Sequence, residues 1–234
     1  MKNFRPKSGP FQERPYYEPQ EIERICEDAL RQVDLLPSSP SPIRIDRLIE
    51  KRFAVTPVYE DLDKGVLGFT EFGPKGVQSV VVARTLDEEG TIPAERRIRT
   101  TLAHEAGHGL LHAHLFVLGK QNKALFGDFT KSNAPKVLCR DIPNASPGHL
   151  PGYNNRWWEY QANRSIGAFL LPRALVQTAV APLLTTQGLM GFQTLLASNL
   201  DRAVKLLADT FNVNPIVARI RLQEMYPQDN QLHL

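Results

Sequence analysis

Arg99-Thr-Thr-Leu-Ala-His104-Glu105-Ala-Gly-His108-Gly-Leu-Leu111 carries the pattern H-E-x-x-H on what reads as a helix. Residues four apart in a helix lie on one face, one turn above the other. His104 and His108 can therefore aim both imidazoles at a single metal ion. Glu105 sits one step round, beside the position left open for water, where a carboxylate can take a proton. With this chain's own His and Glu content the pattern would arise by chance in roughly one such sequence in a hundred. The competing reading is an exposed helix that happens to carry two histidines. Ile98, Leu102, Ala106, Leu110 and Leu111 argue against it, because they make the helix largely buried, with Pro93 and Glu95 near its start. Two histidines and a glutamate inside a packed helix need partners.

Around that helix the composition is ordinary. The chain has 234 residues, 42% of them hydrophobic and 23% charged, enough for one sizeable domain or a domain with a small appendage. The net charge of +3 is too weak to argue for nucleic acid by itself. No apolar run approaches a membrane span, and the first residues have no apolar core of a secretory signal. Two cysteines, Cys26 and Cys139, do not make a disulfide framework, so a reducing cytoplasm is the expected home.

Upstream, residues 1–18 are rich in Pro, Lys, Arg and aromatics without periodicity and read as a mobile tail, or as a docking arm. A helix is expected from Pro19 to about Leu36, with Ile22, Ile25, Cys26, Ala29, Leu30 and Val33 inward and Cys26 a buried, unreactive thiol. A second helix spans Ile43 to Arg52. Ala54 to Tyr59, Val66 to Phe72 and Val77 to Ala83 read as a three-stranded meander. Strands followed by a long helix suggest an α+β fold. The run Ser79 to Arg84 either forms a sheet edge able to take an extended peptide or is an ordinary internal strand.

Downstream, Ala113 to Arg156 lacks periodicity and is expected to form a lid or rim over the cleft. Cys139 lies in it, as a free thiol or as a group able to reach the metal. A catalytic zinc site takes three protein ligands and a water, so a third ligand is needed. His114 has the spacing of H-E-x-x-H-x-x-G-x-x-H, but that pattern needs a glycine where Leu111 stands. Glu159 is the other candidate. It lies in Trp157-Trp-Glu159-Tyr-Gln-Ala-Asn163-Arg-Ser-Ile-Gly-Ala-Phe-Leu-Leu-Pro172, a helix stopped by Pro172, and shares a stripe with Ala162, Asn163, Ile166, Phe169 and Leu170. A carboxylate on that stripe is costly unless it is paired or binds metal; Arg164 is the alternative partner. Asn163 can hydrogen-bond the far nitrogen of a ligand histidine, or serve as a packing amide.

His104-Glu-Ala-Gly-His108 followed by Glu159-x-x-Ala162-Asn163 and Phe169-Leu-Leu-Pro172 resembles the ImmA/IrrE metallopeptidases, and the resemblance covers roughly residues 40 to 175. It implies a zincin-like fold: a small three-stranded sheet, an active-site helix and a helical C-terminal extension. It also implies His104, His108 and Glu159 as ligands of one zinc ion and Glu105 as the catalytic base. Its members are intracellular zinc-dependent endopeptidases, several of which cleave a helix-turn-helix repressor encoded nearby after a stress signal. The segment between His108 and Glu159 is longer here than is usual in that family.

The expected organisation is a tail over 1–18, a peptidase domain over 19–185 and a helical extension over 186–234. Ala174 to Leu196 reads as broken helix, and Leu200 to Phe211 and Pro215 to Met225 as two short helices with a helix-turn-helix look. Arg219 and Arg221 there are candidate phosphate contacts. Tyr153, Tyr160, His112 and His149 are candidate donors to a developing oxyanion. The functional expectation is hydrolysis of a peptide bond in a protein substrate, a DNA-binding repressor. The alternative is a non-proteolytic regulatory module that binds a repressor, an antitoxin or DNA through the C-terminal helices.

Overall fold

The computed structural model describes residues 2–4, 14–115, 136–140, 157–187 and 192–227. Two short strands, β1 (Lys2–Phe4) and β2 (Arg14–Tyr16), pair antiparallel at the start. Pro15 is buried, so this part of the N-terminal segment is docked on the body and differs from the expected mobile tail. Helix α1 (Pro19–Gln32) follows, started by a capping box between Glu18 and Glu21. Ile22, Cys26, Ala29 and Leu30 face the core, and burial pushes the Cys26 thiol far above its ordinary pKa. Helix α2 (Ile45–Phe53) buries Ile45, Leu48 and Ile49 and closes on Ala54 in the left-handed region.

Strands β3 (Val58–Glu60), β4 (Val66–Gly73), β5 (Gly76–Ala83) and β6 (Lys136–Arg140) form a sheet in the order β3-β5-β4-β6. This corrects the expected three-stranded meander. β4 and β5 are a hairpin turning through Gly76 at φ +110°, where a side chain would be strained. β3 pairs parallel with β5, Val58 opposite Val81, and β6 pairs antiparallel with β4, Thr70 opposite Val137 and Gly68 opposite Cys139. β5 therefore lies between β3 and β4, and Val81 and Val82 of the run Ser79 to Arg84 are paired on both sides. The rest of the expected lid, residues 116–135 and 141–156, lies outside the described residues, as do His149 and Tyr153.

After a short helix α3 (Arg84–Glu88) comes α4 (Ile92–Leu111), the H-E-x-x-H helix. Thr91 caps it by accepting from the Ala94 amide at 3.2 Å. One side of α4 lies on the sheet, and the other is crossed by α5 (Trp157–Leu170). The crossing is close at Gly107. A Cβ there would sit 1.9 Å from Ser165 Oγ and 3.3 Å from the Ala162 Cα. Only glycine lets the two backbones approach this far, and the approach sets where α5 delivers its side chains.

Helix α6 (Arg173–Val180) and a hairpin of β7 (Leu184–Gln187) and β8 (Phe192–Leu195) come next. The expected broken helix over 174–196 is thus half helix and half hairpin. α7 (Ala197–Phe211) and α8 (Pro215–Met225) are the last elements among the described residues, and Asn214 caps α8 through the Ile216 amide at 3.1 Å. These helices do not form a separate unit. Leu207, Phe211, Ala218 and Leu222 share one core with Leu30, Leu48, Val80, Ala106 and Phe169. Two arginines of α4 reinforce the join. Arg96 donates to Asn212 Oδ1 at 3.1 Å, and Arg99 donates to the Asn212 carbonyl at 3.0 Å and to Ile43 O at 2.9 Å. Asn212 adopts φ +50° as the cap of α7, a conformation asparagine tolerates, and cations suit the carbonyl end of that helix.

Arg221 is a correction. At 2% exposure it cannot meet a phosphate. It donates to Leu171 O and to Glu23, which Arg173 also holds, and so ties α8 to α1 and α6. A buried guanidinium needs such partners, and Glu23 supplies the charge. Arg219 pairs with Asp201 at the surface. Among the described residues no single helix is long and apolar enough to cross a membrane.

Candidate metal centre

α4 and α5 bring His104, His108 and Glu159 together. His104 Nε2 lies 3.0 Å from His108 Nε2 and 3.2 Å from Glu159 Oε2, and His108 Nε2 lies 3.7 Å from the same oxygen. A tetrahedral zinc with bonds of about 2.0–2.2 Å places neighbouring ligand atoms about 3.3–3.6 Å apart. The three observed separations bracket that range, so the donors fit one small divalent cation. His114, the other candidate third ligand, is exposed, and the ligand cluster among the described residues does not include it.

Hydrogen bonds set which imidazole nitrogen is offered. His104 Nδ1 is 3.0 Å from Asn163 Oδ1, an acceptor, so Nδ1 carries the proton and Nε2 presents a lone pair. Asn163 reaches this position because it is one turn along α5 from Glu159. Two imidazole nitrogens and a carboxylate oxygen then converge on one point, an arrangement that repels itself unless a cation sits among them. Burial disfavours charge on Glu159, but a protonated His104 or His108 would donate to it through Nε2, and that interaction outweighs burial and holds the carboxyl well below the usual range. Burial also disfavours charge on His104, yet Glu159 raises its pKa overall, so a proton and a metal compete for the same lone pair. His108 is pushed down to about 4 by burial.

Glu105 is fully buried beside this cluster. Thr70, on β4, donates its hydroxyl to Glu105 Oε2 at 2.5 Å. Glu105 Oε1 is buried without a protein partner. An unpaired buried carboxylate oxygen is costly unless water or a ligand meets it, which is the environment a base acting on water requires. Burial pushes the Glu105 carboxyl up to about 7, against the pull of His104 and the Thr70 hydroxyl.

Of the oxyanion candidates, Tyr160 is exposed and His112 is completely buried. His112 lies behind His108, with Nδ1 at 3.0 Å from His108 Nδ1, so it faces the back of the site. Thr70 and Gln161 are the residues that sequence reasoning missed. His112 itself had a legible signal, since 104, 108 and 112 repeat at the same spacing and fall on one stripe. Thr70 and Gln161 carry none, because their roles come from pairing across elements.

Among the described residues the donors are two imidazoles and a carboxylate, a set able to hold a divalent metal ion. No family model matches the chain, and no curated protein does. The three side chains form a cluster able to hold a metal ion.

Proposed function

We propose that the chain is a zinc-dependent endopeptidase with a zincin-like fold, hydrolysing a peptide bond in a protein substrate. The observation that carries this reading is the convergence of His104, His108 and Glu159, with all three ligand-atom separations at or under 3.7 Å, beside a buried Glu105. His104, His108 and Glu159 would hold the ion. Bound zinc supplies a Lewis acid that polarises a carbonyl and makes water more acidic.

The chain's own groups do the rest. Glu105 takes the proton from the attacking water through Oε1 and delivers it to the leaving amine. Thr70 anchors Oε2, so the carboxylate does not rotate away between the two transfers. Asn163 keeps His104 in the tautomer that presents Nε2. The resemblance of the H-E-x-x-H and E-x-x-A-N motifs to ImmA/IrrE peptidases supports a helix-turn-helix repressor as the substrate, in the cytoplasm. The alternative module that binds DNA is weakened by the burial of Arg221.

The test is incubation of the purified chain with the protein product of the neighbouring gene, with and without a chelator. Fragments that appear only without chelator support the enzyme, and a stable uncut complex supports the binding module. Glu105→Gln is expected to keep zinc and lose cleavage by about 10²–10⁴-fold, the range for a general base. Full activity in that variant removes Glu105 from the mechanism.

A further inference from the structure

Behind the metal cluster runs a line of buried polar atoms that ends in the N-terminal segment. His108 Nδ1 lies 3.0 Å from His112 Nδ1, His112 Nε2 lies 2.9 Å from Gln161 Oε1, and Gln161 Nε2 donates to Pro15 O at 2.9 Å. His112 and Gln161 are 0% and 4% exposed. The last link fixes the direction of all the others. A carbonyl oxygen can only accept, so the Gln161 amide must turn its NH₂ towards Pro15 and its oxygen towards His112. His112 Nε2 must then carry a proton, which leaves His112 Nδ1 a bare acceptor. His108 Nδ1 must donate to it, and His108 Nε2 is left with its lone pair facing His104 and Glu159.

We propose that His112 and Gln161 are positioning residues for the metal centre: with the Pro15 carbonyl they lock His108 in the one tautomer and ring orientation that presents Nε2 to a divalent cation. This deepens the zinc reading above and rests on it. His104 obtains the same lock from Asn163 on the opposite side. Trp157 stands edge-on to the His112 ring, centroids 5.5 Å apart, and limits its rotation. The N-terminal residues thereby become part of the support of the site, although they lie far from it in sequence.

The experiment measures zinc affinity by chelator competition for full-length wild type, His112→Phe, His112→Asn and Gln161→Leu, with thermal melts of each metal-free protein and ¹⁵N imidazole shifts to read the His108 tautomer. Phe keeps the ring and removes the acceptor. His112→Phe is expected to weaken zinc binding about 10–100-fold, the cost of losing an outer hydrogen-bond partner, and to mix the His108 tautomers. His112→Asn retains an oxygen able to accept from His108 Nδ1 and is expected to recover most of that loss. Gln161→Leu is expected to weaken binding by less than His112→Phe. Wild-type affinity in His112→Phe, or an Asn variant no better than Phe, overturns the assignment. Should His112→Phe fail to fold, Gln161→Leu decides, with wild-type affinity counting against. A wild-type chain that takes up no zinc instead overturns the parent reading, a result distinct from unchanged affinity in the variants.

Discussion

Thr70 on the sheet donates to Glu105 on α4 at 2.5 Å, both residues fully buried. This bond joins the sheet to the candidate site. A carboxylate in a dry site loses a charge-stabilising partner when the hydroxyl is removed. Thr70→Val keeps the shape and is expected to cost about 1–3 kcal/mol, the penalty for leaving a buried acceptor unpaired. Thr70→Ser loses only a methyl and should cost about 0.8 kcal/mol. Urea denaturation of the three proteins checks the order, and a Val variant at least as stable as the Ser variant would contradict it.

Gly107 governs how near α5 comes to α4. Replacing glycine by alanine inside a helix gains about 1 kcal/mol in propensity. Against that, the new methyl meets Ser165 Oγ at 1.9 Å, Ser165 Cβ at 3.0 Å and the Ala162 Cα at 3.3 Å. The serine hydroxyl can rotate, but the α5 backbone cannot yield without moving Glu159. Overpacking of this kind costs about 1–3 kcal/mol, so the strain wins. Gly107→Ala is expected to lower both the melting temperature and the affinity for zinc, and Ser165→Gly in that background to restore part of each. Calorimetry and a zinc titration read the two effects, and an unchanged zinc affinity in Gly107→Ala would break the proposed link between packing and site.

Glu23 predicts a pH dependence of stability. Burial raises its pKa, but hydrogen bonds from Arg173 and Arg221 outweigh burial and hold it at about 2, below an ordinary value of 4.5. A carboxyl depressed on folding stabilises the protein fully above its unfolded pKa and loses that contribution as pH falls through the folded one. The stability gap between wild type and Glu23→Gln is therefore expected to be widest above pH 4.5 and to close as pH falls towards 2. Carboxyls common to both proteins cancel in the difference. Denaturation curves between pH 6 and pH 3 measure it, and a gap independent of pH would refute the assignment.

Local periodicity made part of this molecule legible. The spacing of His104 and His108, the stripe that carries Glu159 and Asn163, and the Asn214-Pro215 start of α8 each depend on residues within a turn or two of one another. What was hidden depends on pairing across the chain. Nothing in Val58–Glu60 says that it meets Val81 in parallel, since strand order is decided by which edges are already taken. Arg221 reads as a surface cation because Glu23, which draws it inside, lies almost the whole chain away. Gln161 reads as a helix-surface amide until Pro15 and His112 are placed on either side of it. Pro15 and Arg221 are both bound into the body by polar contacts that carry no sequence period.

The most direct test of the account is the stoichiometry and affinity of zinc in wild type beside Glu159→Ala, with His114→Ala as the control. The account predicts one zinc per chain in wild type and in His114→Ala. In Glu159→Ala it predicts a loss of affinity exceeding the roughly 10–100-fold that even an outer hydrogen-bond partner costs. Glu159→Ala binding zinc as tightly as wild type, or wild type binding none, would contradict it.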